Sequence, residues 1–117
     1  MTDSLKIAEI LDRAADHIES VGWFQGELYD RYTDPSRPLA ACRVCALGAI
    51  NVALHGSPQF PVGRTLGGVD AHEVAEYVER GFENTELASW NDESGRTQDD
   101  VTAAFRGTAA ELRGGAV

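Results

Sequence analysis

The stretch that most constrains this chain runs from Ala40 to His55, Ala-Ala-Cys-Arg-Val-Cys-Ala-Leu-Gly-Ala-Ile-Asn-Val-Ala-Leu-His. Only Arg43, Asn51 and His55 bring strongly polar side chains to it. A surface helix needs one apolar stripe, whereas a helix that is apolar on nearly every side has to be enclosed by the rest of the fold. The expected fold is therefore all-α: a compact bundle of about four helices around a buried central helix at 40–55. Two long loops complete it, with room for a short hairpin near 23–39.

The other helices follow from periodicity. Ile7, Ile10, Leu11, Ala14, Ala15, Ile18 and Val21 recur at helical spacing, which predicts a first helix from about Ser4 to Val21. Gly22 then suits the left-handed position after a helix, and Trp23 the hydrophobic contact beyond it. Asp70 with Glu73 three residues later marks the start of a third helix. One face carries Val74, Tyr77, Val78, Gly81 and Phe82, and the acidic face carries Glu73, Glu76, Glu79 and Glu83, reaching Glu86 if the helix extends that far. Thr97 with Asp100 starts a last helix, whose inward stripe is Val101, Ala104, Phe105, Thr108 and Leu112. Gln59–Val69 reads as a long loop, and Leu87–Gly95 as a polar turn behind Trp90.

At 117 residues the chain is expected to form a single helical domain over 1–117, with a disordered tail from about 113. No apolar run reaches the ~20 residues of a membrane span, and the N-terminus lacks a signal-peptide layout. The expected location is the cytoplasm, with both cysteines reduced. Net charge is −9. Between Asp70 and Asp92, seven acidic residues against Arg80 leave −6 of it. Such a surface disfavours direct binding to a phosphate backbone and favours a protein partner, a basic one if it docks on the acidic helix face.

Four constellations could carry chemistry. Cys42-Arg43-Val44-Cys45 is a C-x-x-C at an expected helix start, where two thiols could share a face and have lowered pKa values. The βαβ context of a thioredoxin-like motif is missing, so buried structural thiols are the favoured reading. Two cysteines supply only half of a closed zinc site, and His55 lies too far along the helix to join them, so neither a metal nor another cofactor is expected. The order Gln25, Cys42 or Cys45, His72, Asn91 imitates the donor, nucleophile, base and orienter of a thiol enzyme. Finally, Trp90-Asn91-Asp92 with Gly95-Arg96-Thr97 reads first as a structural turn and second as an anion site at a helix start.

Three islands in this order are familiar together: Gly22-Trp23-Phe24-Gln25-Gly26, Cys42 to Ala49, and Trp90-Asn91-Asp92 through Gly95-Arg96-Thr97. They resemble a family of small proteins of unknown function from actinobacteria and their phages, with G-W-x-Q-G, C-x-x-G-A and W-N-D-x-x-G-[RK]-T motifs. The resemblance covers roughly Ile7 to Leu112 and brings no activity with it. It implies an accessory protein, and that Trp23, Gln25, Cys45, Gly48, Trp90, Asn91 and Asp92, with Arg96 beside them, lie near one another. Gln25 and Asn91 would then satisfy backbone groups of the loops, and Gly48 would admit a neighbouring helix.

The leading functional expectation is a non-enzymatic protein-interaction module that uses the acidic residues Glu73, Glu76, Glu79, Glu83 and Glu86, the loop aromatics, or both. The alternative is a small-molecule-binding protein or thiol-dependent enzyme with its site near Gln25, Cys45 and Asn91.

Overall fold

The computed structural model describes residues 2–60 and 69–114. Five α-helices follow one another: α1 Thr2–Val21, α2 Ala46–His55, α3 Ala71–Glu79, α4 Leu87–Asn91 and α5 Gln98–Gly114. A single 3₁₀ turn occupies Leu39–Ala41. No strand forms among the described residues, and the fold is all-α.

The frame is the pairing of the two long helices. Ile7, Leu11, Ala14, Ala15 and Ile18 of α1 are fully buried, and Phe105 and Val101 of α5 meet them in the core. The helices run antiparallel, as their ion pairs report. Arg113 of α5 reaches Asp12 at 2.6 Å, and Arg106, two turns earlier, reaches Asp16 and Glu19 at 2.8 and 2.7 Å. The last helix thus includes Arg113 and Gly114, which the sequence reading assigns to a disordered tail. The cause is Asp12, which holds the final turn.

The start of α5 follows its capping residues. Thr97 Oγ1 accepts the Asp100 N–H at 3.2 Å, and the Asp100 carboxylate accepts the Thr97 N–H at 3.0 Å. Asp70 likewise accepts the Glu73 N–H at 2.8 Å and starts α3.

The central helix is shorter than expected. Ala46 to Asn51 are buried, as an all-round apolar helix demands, but the helix begins at Ala46 and not at Ala40. Long-range backbone pairing decides this. The segment 22–30 wraps around Val44 and pairs with it on both sides, parallel at Trp23 and antiparallel at Tyr29. The Val44 N–H donates to Gly22 O, the Phe24 N–H to Val44 O, and the Cys45 N–H to Leu28 O, at 2.9 to 3.1 Å. Residues 42–45 must stay extended to make these bonds, so they cannot join the helix. The same pairings replace the hairpin expected near 23–39.

Two further differences are local. α3 stops at Glu79, and a five-residue helix, α4, stands where a polar turn is expected. Most of the Gln59–Val69 loop, residues 61–68, lies outside the described residues. No described helix is long and apolar enough to cross a membrane.

Candidate functional site

Asn91 is the last residue of α4 and is fully buried. Its side chain joins three segments. Oδ1 accepts the Trp23 indole N–H at 2.6 Å and the Ala46 backbone N–H at 2.9 Å. Nδ2 donates to Phe24 O at 3.2 Å and to Asp92 Oδ1 at 3.0 Å. Ala46 opens α2, and the first N–H groups of a helix have no partner within it. Asn91 supplies one from a distant part of the chain.

Cys45 supplies another. It is the N-cap of α2, and its sulfur accepts the Gly48 N–H at 3.3 Å. Gly48 is there for a steric reason. A Cβ at this position would lie 2.0 Å from the Leu28 carbonyl oxygen, the same oxygen that accepts the Cys45 N–H. The close approach that Gly48 permits is thus by a loop carbonyl, not by the neighbouring helix expected from sequence.

The flanking residues complete the cluster. Gln25 Nε2 donates to Asn91 O at 2.9 Å and to Glu93 O at 3.1 Å. Asp92 Oδ1 accepts the Gly26 N–H at 2.9 Å. Gly26 has φ +102°, a backbone region costly to residues with a side chain. The Trp90 ring stacks on Phe82 with centroids 4.5 Å apart and carries the Arg96 guanidinium 4.0 Å from its centre. Arg96 also donates to Trp90 O at 3.0 Å and pairs with Glu93 at 2.8 Å. Trp23, Gln25, Cys45, Trp90, Asn91, Asp92 and Arg96 therefore meet at one end of the bundle. Gln25 and Asn91 do satisfy loop backbone, as expected. Arg96 is already paired with Glu93, which leaves no open anion site at the start of α5.

The thiol constellations separate. Cys42 precedes α2 and donates to Pro38 O at 3.5 Å, so the two cysteines share no helix face. Both are free and buried. Burial pushes the Cys45 thiol above its ordinary pKa, against the partial relief given by the Gly48 N–H. His72 stacks on Phe60, with ring centroids 5.4 Å apart, and makes no hydrogen bond to either cysteine among the described residues. The order Gln25, cysteine, His72, Asn91 therefore does not assemble into a nucleophile and base. No group of three or more potential metal ligands forms among the described residues.

The acidic residues divide into two sets. Glu73, Glu76 and Glu79 lie on α3, while Glu83 and Glu86 lie beyond its end. Glu79 turns back to accept the Leu87 N–H at 2.6 Å and so starts α4. Glu86 is the N-cap residue of α4 but makes no side-chain cap bond. A continuous five-residue helical face is therefore not formed, because α3 ends a turn earlier than the charge spacing implies.

One charged knot has no counterpart in the sequence reading. Asp30, 5% exposed, accepts from Thr33 Oγ1 at 2.6 Å and from Arg43 Nη2 at 2.6 Å, and also from the Tyr32 and Thr33 N–H groups. The Thr33 hydroxyl first, and the Arg43 guanidinium next, hold its carboxyl well below the usual aspartate range. The Asp30-x-x-Thr33 turn chemistry is a local signal that could have flagged it. The Arg43 partnership is tertiary and leaves no local trace.

Residues 2–111 match a family model described as a family of unknown function. The chain belongs to DUF6197. The match spans α1 to α4, the whole Asn91 cluster and all of α5 but its last turn. No curated protein and no solved structure matches the chain.

Proposed function

We propose that this DUF6197 protein is a non-enzymatic accessory module that docks a basic protein partner, in a bacterium or its phage. The observation that carries this reading is the pattern of ion pairing. Among the described residues, Arg13, Arg31, Arg43, Arg96, Arg106 and Arg113 are all paired with carboxylates. Glu73, Glu76, Glu83 and Glu86 enter none of these pairs. Glu76, Glu83 and Glu86 are exposed. Asp34, Asp99 and Glu111 are unpaired too among the described residues, but the 73–86 stretch gathers four such acids against Arg80 alone, which lies over the Tyr77 ring; this net negative charge steers a positively charged protein toward it.

Two further points support a non-catalytic role. Trp23, Gln25 and Asn91 direct their hydrogen bonds at one another, at backbone or at Asp92, as structural residues do. Among the described residues the Cys45 thiol has no base hydrogen-bonded to it, and burial pushes it away from its nucleophilic form. The thiol-enzyme alternative near Gln25, Cys45 and Asn91 has no comparable support, although simple ligand binding there keeps a cavity in its favour.

The test is charge reversal outside the fold-holding residues, with Glu76→Lys, Glu83→Lys and Glu86→Lys combined and Glu79 left intact. Crosslinking and mass spectrometry on lysate of the source cells should recover a basic protein with the wild type and lose it with the triple variant. Unfolding curves should coincide. A partner captured equally by both would remove this surface from consideration.

A further inference from the structure

A cavity of about 210 Å³ opens between the 26–28 loop, the start of α2 and α4. Leu28, Leu47 and Ala88 give it apolar walls. No lysine, arginine or histidine lines it. Glu27 lies at its edge, but that carboxylate is occupied by Arg31 at 3.0 Å and by the Tyr32 hydroxyl. Asp92 differs. Its Oδ1 accepts from Gly26 and Asn91, and its Oδ2 has no hydrogen-bond partner among the described residues. The inner wall holds Cys45, 5% exposed, whose sulfur accepts the Gly48 N–H while its own S–H meets no acceptor among the described residues. A thiol is a weak donor, and Cys45 serves the cavity as a small, nearly apolar part of its wall.

We propose that this cavity binds a primary ammonium carried on a short aliphatic stem, the stem lying against Leu28, Leu47 and Ala88 and the ammonium on Asp92. The charge follows from the lining. An anion would face Asp92 and Glu27 with no cation to receive it. A wholly apolar ligand would strip water from Asp92 without replacing it, which is costly. The choice among cations follows from geometry. A quaternary ammonium is recognised by aromatic faces, and no aromatic residue lines the cavity. A guanidinium fits a carboxylate through two parallel bonds, but Asp92 Oδ1 is taken and leaves one free oxygen. A compact ammonium matches that single oxygen. The inference stands on the cavity and is independent of the acidic surface. The ammonium is either a lysine side chain of a partner or a free alkylamine.

The experiment is a titration of the isotope-labelled full chain with n-butylammonium, followed by amide NMR, with n-butanol as the neutral match. Shifts should concentrate at Gly26, Leu28, Cys45, Leu47 and Ala88, and n-butanol should produce much weaker ones. Asp92→Asn keeps a side-chain oxygen for Gly26 but removes the charge. It should weaken binding about tenfold or more, the size of one charge-assisted hydrogen bond. Ala88→Phe fills the cavity from an exposed position and should abolish binding without altering the unfolding curve. Equal responses to n-butanol and n-butylammonium would overturn the proposal, as would shifts located elsewhere or binding unaffected by Ala88→Phe. A lysine-containing tripeptide and 1,4-diaminobutane then separate the sources, since the true one should bind more tightly than n-butylammonium.

Discussion

At the scale of single residues, Asn91 and Gly48 show how narrow the tolerance of this site is. Asn91 uses both an acceptor and a donor, so no isosteric substitute serves. Asn91→Asp keeps the oxygen facing Trp23 and Ala46 but turns a second oxygen toward Phe24 O inside a buried site. Lost bonds and an unpaired buried charge each cost about 1–3 kcal/mol or more, and urea unfolding should register a loss at the upper end of that range. Asn91→Ala should cost less, because it leaves unpaired donors but no charge. Gly48→Ala places a methyl into a backbone carbonyl that cannot swing away. It should destabilise by about 1–3 kcal/mol, as overpacking does. Gly107→Ala is the matched control. Gly107 is in α5 with nothing within 4 Å of the added Cβ, so the change should stabilise by about 0.5–1 kcal/mol. Opposite signs for the two glycines, measured in the same unfolding experiment, would separate steric need from helix propensity.

At the scale of elements, α4 depends most on its neighbours. A five-residue helix does not persist alone in water. Tertiary contacts hold it, among them the Glu79 carboxylate on the Leu87 N–H, the Phe82–Trp90 stack, and the Asn91 bonds to α2 and the 22–30 loop. Removing the Glu79–Leu87 bond by Glu79→Ala should cost about 1 kcal/mol, like loss of a helix cap. It should also speed hydrogen exchange in 87–91 before it does so in α1 or α5. Uniform exchange across the chain would argue against α4 as the local weak point. These elements also show what a sequence discloses. The α1 stripe and the Thr97–Asp100 cap were legible because their partners lie three or four residues apart. The start of α2 was not, because Gly22 and Leu28 decide it from far upstream. α4 escaped because five residues carry no measurable period. The meeting of Trp23, Gln25, Cys45 and Asn91 was legible only through the shared family islands, and the Asp30–Arg43 knot had no such support.

At the scale of the whole molecule, the charge map couples stability to acid. Asp30 is held below its ordinary pKa, so its ionised form is favoured by folding. The stabilisation is complete above the unfolded-state value of about 4 and is lost as pH falls below it. Acid titration of the wild type should therefore show a steeper loss of stability below pH ~4 than Asp30→Asn, which has no proton to take up there. Coincident acid limbs for the two proteins would mean that the knot contributes no pH dependence.

The bonds of Asn91 also set an order in time. Ala46 precedes it by 45 residues and Phe24 by 67, so a ribosome releases the buried helix well before it releases the side chain that closes the helix's end. α1 waits longer still, for the α5 that covers its apolar stripe. The growing chain thus carries the start of α2 open while the next 45 residues are made, and its second half acts on the first as a built-in escort that arrives late.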